Sequence, residues 1–440
     1  MEVTLDQMLA ARENRAMKQM QLIRKFGKPI ISFCMNIPGP VKDSPLIRRG
    51  FRAGCRCLDH RLTAVLHREI LEAVTGCEAM YVVDLPAVEV KKITTAIEDD
   101  HGLGRLFDMD VLDVDFSKLD RESVGGGSRD CIVCGAPGRG CASRRVHSVE
   151  QLQGAAFGIL SRYFCREDGD FVGSLAVRSL LDEVCTTPKP GLVDHRNNGS
   201  HRDMDLFTFI ASASALAPYF RNCAEIGQDT AEKDPEETFR LLRVEGLKAE
   251  ETMFAATHGV NTHKGAVFTM GILCGACGRI WKPEGGWDTD TVLAEVARMT
   301  AGPMKADFSA PNEDTVGERL YHSRGIPGIR GEVANGLPSV RNIGLPIYRK
   351  YLEMGRNAAG CITLLHLIAG VQDTNMIARG GLEGAVWGAE AAAELIQEGK
   401  IPTVEEICAL DDRFIEKNLS PGGCADLLAA VYFLHGLEEA

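Results

Sequence analysis

The stretch Thr186–Asp205, TTPKPGLVDHRNNGSHRDMD, places Lys189, Asp194, His195, Arg196, Asn197, Asn198, Ser200, His201, Arg202, Asp203 and Asp205 within twenty residues. Almost nothing in it can build a core, yet apolar helical sequence flanks it on both sides. A dense polar loop held between packed helices is a common seat of binding and catalysis. These residue types suit the mouth of a nucleotide site. Three more polar clusters follow: Asn261-Thr262-His263-Lys264-Gly265, Asp373-Thr374-Asn375 with Arg379-Gly380-Gly381, and Leu419-Ser420-Pro421-Gly422-Gly423 with Asp426. Three of the four clusters fall at expected helix starts, where free backbone N–H groups and the helix dipole favour phosphate. Lys264-Gly265 opening a helix suits a triphosphate, and Asp194, Asp203, Asp205 and Asp373 are candidates to hold Mg²⁺. Each also has a structural reading, with Asp203, Asp205 and Asp373 as N-caps and His258 and His263 as satisfied loop histidines. No G-x-x-x-x-G-K-[ST] pattern occurs, which excludes a P-loop enzyme.

A second constellation lies nearer the N-terminus. In Asp108-Met109-Asp110 a period of two puts both carboxylates on one face of a strand. Paired aspartates of this kind hold Mg²⁺ for displacement at phosphorus. Gly104-Arg105 upstream lets a guanidinium approach a phosphate chain, and Asp113 and Asp115 extend the acidic edge; the competing reading is an exposed acidic strand face. Cys131-x-x-Cys134, Cys141 and His147 have the spacing of a Cys3His zinc site. Arg129, Arg139, Arg144 and Arg145 crowd the same segment, and the residues favour an unmetallated loop whose arginines hold phosphate over zinc. Asn36–Lys42 (NIPGPVK) is a rigid turn that fixes where Asn36 and Lys42 point, toward a phosphate.

Periodicity supplies the elements that must position these groups. Helices are expected over Leu5–Phe26, Pro45–Val74 and Val88–Asp99, and strands over Pro29–Met35, Met80–Asp84 and Gly104–Asp115. This reads as an α+β domain over residues 1–155, with a mixed sheet of the nucleotidyltransferase kind. From Val149 onward the pattern is helical, including Val172–Cys185, Leu206–Cys223, Glu236–Thr257, Val267–Ile280, Gly384–Gln397 and Ala425–Leu437. Small residues crowd these helices, as in GAVFTMGILCGACG, which allows close helix packing in an all-α domain over 170–440. SRYFCREDGD is the expected polar break between the two domains.

Composition bounds the partners. With 49 basic and 61 acidic residues the chain carries a net charge of −12, which disfavours a nucleic-acid backbone as ligand. The apolar runs fall short of the ~20 residues that a bilayer span needs. The first residues, MEVTLDQMLAARENR, have no apolar h-region, and the fifteen cysteines suit a reducing cytoplasm.

The second half resembles triphosphoribosyl-dephospho-CoA synthase through TPKPGLVDHRNNGSHRDMD, LRVEGLKAEETMFAATHGVNTHKGAVF, QDTNMIARGG and NLSPGGCADLLA. The first half resembles the citrate lyase holo-acyl-carrier-protein synthase, a phosphoribosyl-dephospho-CoA transferase, through ARENRAMKQ, ISFCMNIPGPVK, HGLGRLFDMDVLD and RDCIVCG…CASRRVHS. The resemblance implies a fusion of two consecutive transferases. The C-terminal domain would join 3′-dephospho-CoA to the ribose of ATP with release of adenine. The N-terminal domain would then pass the phosphoribosyl-dephospho-CoA group to a serine of the apo acyl-carrier (gamma) subunit of citrate lyase, releasing diphosphate. On chemical grounds Asp194, Asp203 and Asp205 are the catalytic candidates in the first step, with Asp373 on Mg²⁺ and Lys189, Lys264 and Arg379 on phosphates. Asn197, Asn198, His201, His263, Asn375 and Ser420 complete that substrate site. Asp108 and Asp110 serve the second step with Mg²⁺, and Asn36, Lys42, Arg105 and Arg129 bind its substrate. Competing readings are the corresponding malonate decarboxylase system, a glycohydrolase acting on the same carbon, and a zinc-stabilised nucleotide-sensing adaptor.

Overall fold

A computed structural model describes residues 2–136, 138, 141, 144–309, 316–397 and 400–439. Arg139 lies outside the described residues. The chain divides into two compact units, Met1–Arg166 and Glu167–Ala440.

In the first unit, helix α1 (Leu5–Phe26) opens on a capping box between Thr4 and Gln7 and closes on Gly27. Strand β1 (Ile30–Met35) follows, then α2 (Pro45–Arg61), β2 (Val65–Leu71), β3 (Glu78–Val83), α3 (Ala87–Asp100), β4 (Phe107–Leu112) and β5 (Lys118–Leu119). The strands form one sheet in the order β2-β3-β1-β4-β5. Every pairing is antiparallel, so the expected mixed sheet is corrected to an antiparallel one. Alternation divides its faces. Ile31, Phe33, Tyr81 and Met109 occupy one, while Ile30, Met80 and Val82 pack with Leu22 and Ile23 of α1 on the other.

The helix expected to run from Pro45 to Val74 ends at Arg61, where Leu62 turns to extended backbone. Val65–Leu71 is instead the sheet's edge strand. Most of its side chains are exposed, so it lacks the in–out alternation that marks a half-buried strand. The strand expected over Gly104–Asp115 is shorter, because Gly104–Leu106 forms a 3₁₀ turn before β4.

Helix α4 (Val149–Cys185) runs unbroken through SRYFCREDGD, so that stretch is no break in secondary structure. The second unit continues with α5 (Leu206–Ala215), α6 (Ala217–Asp229), α7 (Pro235–Ala256), α8 (Lys264–Arg279), α9 (Thr289–Ser309), α10 (Val316–Arg324), α11 (Gly328–Ala334), α12 (Leu345–Tyr351), α13 (Arg356–Gly370), α14 (Thr374–Leu395), α15 (Val404–Glu416) and α16 (Gly422–Glu438). It holds no strand among the described residues. The single helix expected over Leu206–Cys223 is two helices, parted at Leu216 ahead of Pro218. Helix α14 starts ten residues before the expected Gly384 and carries a kink at Gly381 (φ 67°).

The small residues of α8 have a definite use. A Cβ at Gly227 on α6 would lie 2.1 Å from the Gly275 carbonyl, and one at Gly278 would lie 2.1 Å from that of Ala224. The two helix backbones therefore touch, and α8 is almost wholly buried from Ala266 to Arg279. That fixes the position of its N-terminal turn. Among the described residues, no single helix is long and apolar enough to cross a membrane; the bent pair α13–α14 passes by length and composition together, with Leu364, Leu365 and Met376 buried in the helical core.

Candidate functional sites

Three of the four polar clusters in the second unit open a helix, and the fold brings those three helix starts to one cavity of about 1000 Å³. Lys264 and Gly265 begin α8, Thr374 and Asn375 begin α14, and Gly422 and Gly423 begin α16; all six line the cavity. The loop contributes Lys189, His201 and Asp203 to the same wall. Three helix N-termini facing one space favour an anion at their ends, beside the carboxylates of Glu183, Asp203, Asp373 and Asp426 on the same wall. The volume is at the upper end of the about 300–1,000 Å³ of small-molecule pockets.

Asp373 ties two of these helices together. Its Oδ1 accepts from the backbone N–H of Asn375 and Met376 (2.8 and 3.0 Å), and its Oδ2 accepts from Cys424 N–H (2.8 Å). Burial still pushes its carboxyl pKa up against those three donors. Asp426, one turn into α16, has no hydrogen bond or ion pair among the described residues. Burial and the neighbouring Glu183 and Asp373 carboxylates raise its pKa well above the ordinary range. Its Oδ2 would lie 2.0 Å from a Cβ on Gly265, so it sits against the first turn of α8, and only glycine leaves room for it.

His263, just ahead of α8, is buried. Its Nδ1 meets Ser212 Oγ at 2.7 Å, while Nε2 has no partner and the residue lines the cavity. Thr262 Oγ1 donates to the same Ser212 Oγ, which leaves the serine proton for Nδ1 and sets the ring proton on Nε2. Burial and Lys189 lower the imidazole pKa to about 3. His263 is therefore a neutral residue of the cavity lining with a buried, unpartnered Nε2–H. His201 meets Ser420 Oγ through Nε2 at 3.0 Å, and burial with Arg379 nearby keeps it neutral too.

Several expected roles change on this geometry. Asp194 does not line the cavity. Its oxygens accept from Thr187 Oγ1 and Lys189 N (both 2.9 Å), Arg196 N (2.7 Å) and Asn197 N (3.1 Å), so it organises its own loop. Asp205 is the N-cap of α5, in a capping box with Thr208, and is no part of the cavity wall. Asn197 donates to the buried Asp411 at 2.8 Å, the Asn198 carbonyl accepts from His201 N–H, and neither lines the cavity. Lys189 does line it, but its ammonium is held by Glu183 Oε1 at 2.5 Å. Arg379 spends its guanidinium on the Ser200 and Asn418 carbonyls and on Asn418 Oδ1. Lys264 pairs with Glu250 at 2.9 Å. Replacing Asp205 with alanine is therefore expected to lower stability through loss of the helix cap and to leave turnover at saturating substrate unchanged; a denaturation curve and a turnover assay on one preparation check this.

In the first unit, Asp108 pairs in register with Cys34, and Cys34 with Glu78 on the far strand. Glu78, Asp108 and Asp110 thus share the face that α1 partly covers. Cys34 Sγ meets Asp108 Oδ2 at 3.7 Å, Lys118 pairs with Asp110 at 2.6 Å, and Arg15 of α1 pairs with Glu78 at 2.6 Å. Burial and the Asp110 charge raise the Asp108 pKa, and burial beside Asp108 raises the Cys34 thiol to about 12. This is a crowded carboxylate pair with one lysine against it, the electrostatics of a cation site.

The flanking groups brace that strand. Arg129 donates to the Phe107 carbonyl at 2.8 Å and pairs with the buried Glu98, which accepts from Met109 N–H at 2.9 Å. Arg105 donates to the Asp130 carbonyl. Lys42 folds back to the Ile37 carbonyl at 2.5 Å. Asn36 is exposed, its backbone N–H bound to Leu106. Sequence reasoning missed Glu183 and Glu78 and named Asp426 without a role. Glu78 was legible in principle, since it alternates with Met80 and Val82 on one strand face.

Comparison with known proteins agrees with this division. Residues 170–440 match the family model CitG, described as ATP:dephospho-CoA triphosphoribosyl transferase, and residues 3–163 match CitX, apo-citrate lyase phosphoribosyl-dephospho-CoA transferase. The chain is 32% identical over 98% of its length to Protein CitXG of Haemophilus influenzae, covering 96% of that protein. It is 34% identical to Protein CitXG of Leuconostoc mesenteroides subsp. cremoris, over 98% of this chain and 97% of that one. A Vibrio cholerae protein described as "Probable 2-(5''-triphosphoribosyl)-3'-dephosphocoenzyme-A synthase" is 42% identical over 61% of this chain and 88% of its own. The chain belongs to the CitXG family, the fusion of a CitX with a CitG region.

Proposed function

We propose that the cavity of the second unit carries the triphosphoribosyl transfer and the β4 carboxylates the attachment step, with residues 170–440 and 1–155 as the two functional domains. The protein is a bifunctional transferase that makes and attaches the citrate lyase prosthetic group. The observation that supports the cavity most is the convergence of three helix N-termini on one space that also holds the unpartnered Asp426. The 2′-hydroxyl of 3′-dephospho-CoA attacks the ribose C1′ of ATP. The bond from C1′ to the adenine nitrogen breaks, and adenine leaves with its electron pair. The Asp426 carboxylate faces the oxocarbenium-like carbon as the bond to adenine opens, then takes the hydroxyl proton as the new bond closes, and that proton ends on adenine. His263 Nε2–H donates to a substrate acceptor, and the N–H groups at the starts of α8, α14 and α16 that Asp373 does not already occupy take the triphosphate.

A magnesium ion would neutralise phosphate charge in both steps. Asp203 and Asp373, which both line the cavity, would hold it there. Asp108 and Asp110 are its holders on β4. There a serine hydroxyl of the apo acyl-carrier subunit attacks the α-phosphorus, a phosphodiester forms and diphosphate leaves. The nucleotidyltransferase-like character of the first domain rests on this pair of aspartates sharing one strand face. Adenine release, followed by chromatography, is expected only when ATP and dephospho-CoA are both present. Release from ATP alone at a comparable rate would make water the acceptor and the protein a glycohydrolase.

A further inference from the structure

Cys131, Cys134, Cys141 and His147 lie outside every step described above. Each offers one donor atom, and the four all lie within 4.8 Å of one another. Cys134 Sγ is 3.5 Å from Cys141 Sγ and 3.3 Å from His147 Nε2. A tetrahedral zinc with Zn–S of about 2.3 Å and Zn–N of about 2.0–2.1 Å sets its donors about 3.5–3.8 Å apart. Two of the contacts already come within about 0.3 Å of those edges.

The backbone is shaped for the same purpose. Cys131-Ile-Val-Cys134 forms a tight turn in which Gly135 N–H donates to the Cys131 carbonyl at 2.9 Å and Cys131 N–H to the Ala136 carbonyl at 2.7 Å. Gly135 takes the left-handed conformation (φ 70°) that lets the chain turn back. All the cysteines are free of disulfides, and a single disulfide would use two of the three thiols and leave the imidazole without purpose.

We propose that these four residues bind one structural zinc ion, which fastens the segment Arg129–His147 onto the transferase strand. Binding forms three Zn–S bonds and one Zn–N bond and releases up to three thiol protons to solvent. The ion lies beside the arginine brace. Asp130, adjacent to the first ligand, accepts from Arg105, and Arg129 holds the Phe107 carbonyl next to Asp108. With its four protein ligands the site is closed, as structural zinc sites are, and it has no open position for catalysis. The sequence disfavoured zinc because one C-x-x-C is weak evidence. The arrival of Cys141 and His147 beside it is what spacing alone does not show.

The test uses the full-length chain, purified under reducing conditions without chelator. Elemental analysis is expected to find one zinc per chain. Cobalt replacing it should give thiolate-to-cobalt charge-transfer bands and the intense visible bands of a tetrahedral site. Cys134→Ser and Cys141→Ser should lose the metal, and His147→Cys should keep it. Carrier labelling should fall at least about tenfold in the two serine variants, while adenine release stays at the parent rate and reports that the chain is folded. A chain that binds neither zinc nor cobalt with its thiols reduced would overturn the proposal. So would a Cys134–Cys141 disulfide in the purified protein, or zinc retained at full stoichiometry in both serine variants.

Discussion

Asp426→Asn is expected to slow adenine release by about 10²–10⁴-fold and, at neutral pH, to make the protein more stable. Both effects follow from one feature: a cavity carboxylate without a partner, raised by burial and by Glu183 and Asp373. Its folded pKa exceeds the ordinary value, so between those two pH values the native state holds a proton that the unfolded chain has released. Stability contributed by this group is therefore full below about pH 3.9 and is lost as pH rises through the folded value. An uncharged isostere escapes that loss, and the gain in melting temperature should shrink toward zero in acid. The acid limb that Asp426 gives to the rate profile should vanish in the variant. A parallel check is Gly265→Ala, whose methyl would meet Asp426 Oδ2 at 2.0 Å and must displace it; adenine release should fall while carrier labelling from supplied triphosphoribosyl-dephospho-CoA is unchanged. If the asparagine variant turns over at the parent rate, Asp426 is not the base.

Asp108→Ala is expected to reduce labelling of the carrier subunit by on the order of 10²–10³-fold and to leave adenine release intact. Asp108 shares its sheet face with Asp110 and Glu78, and its pKa is raised by burial and by the Asp110 charge. Removing one carboxylate relieves that repulsion, so the fold should not suffer, but it also removes half of the pair that holds the metal on the phosphates. The labelling reaction should need a higher Mg²⁺ concentration in the variant, which loss of a merely structural group would not produce. Simultaneous loss of both activities in a folded protein would argue against two independent sites.

Much of this was legible in the sequence where local periodicity and packing agree. Asp108 and Asp110 alternate with the buried Phe107, Met109 and Val111, and a period of two reveals that on paper. The three helix starts at Lys264, Thr374 and Gly422 announced themselves through their polar, glycine-rich leads. What failed did so for definite reasons. Val65–Leu71 is an exposed edge whose partner is set by tertiary pairing, and Asp194 and Asp205 carry the right chemistry but spend it on backbone N–H groups nearby. Asp426 was the reverse case. The sequence places it in a polar cluster without a role, and only burial and the approach of Gly265, Glu183 and Asp373 from other elements set it apart.

The loop Thr186–Asp205 is accordingly a wall of the site, held by Asp194 and Asp411, with the reactive groups supplied largely from the helix starts around it. The most direct measurement is the mass of apo acyl-carrier subunit after incubation with this protein, ATP, 3′-dephospho-CoA and Mg²⁺. A gain equal to the phosphoribosyl-dephospho-CoA group, dependent on both nucleotides, is the predicted result. An unchanged carrier mass with folded, zinc-replete protein would contradict it.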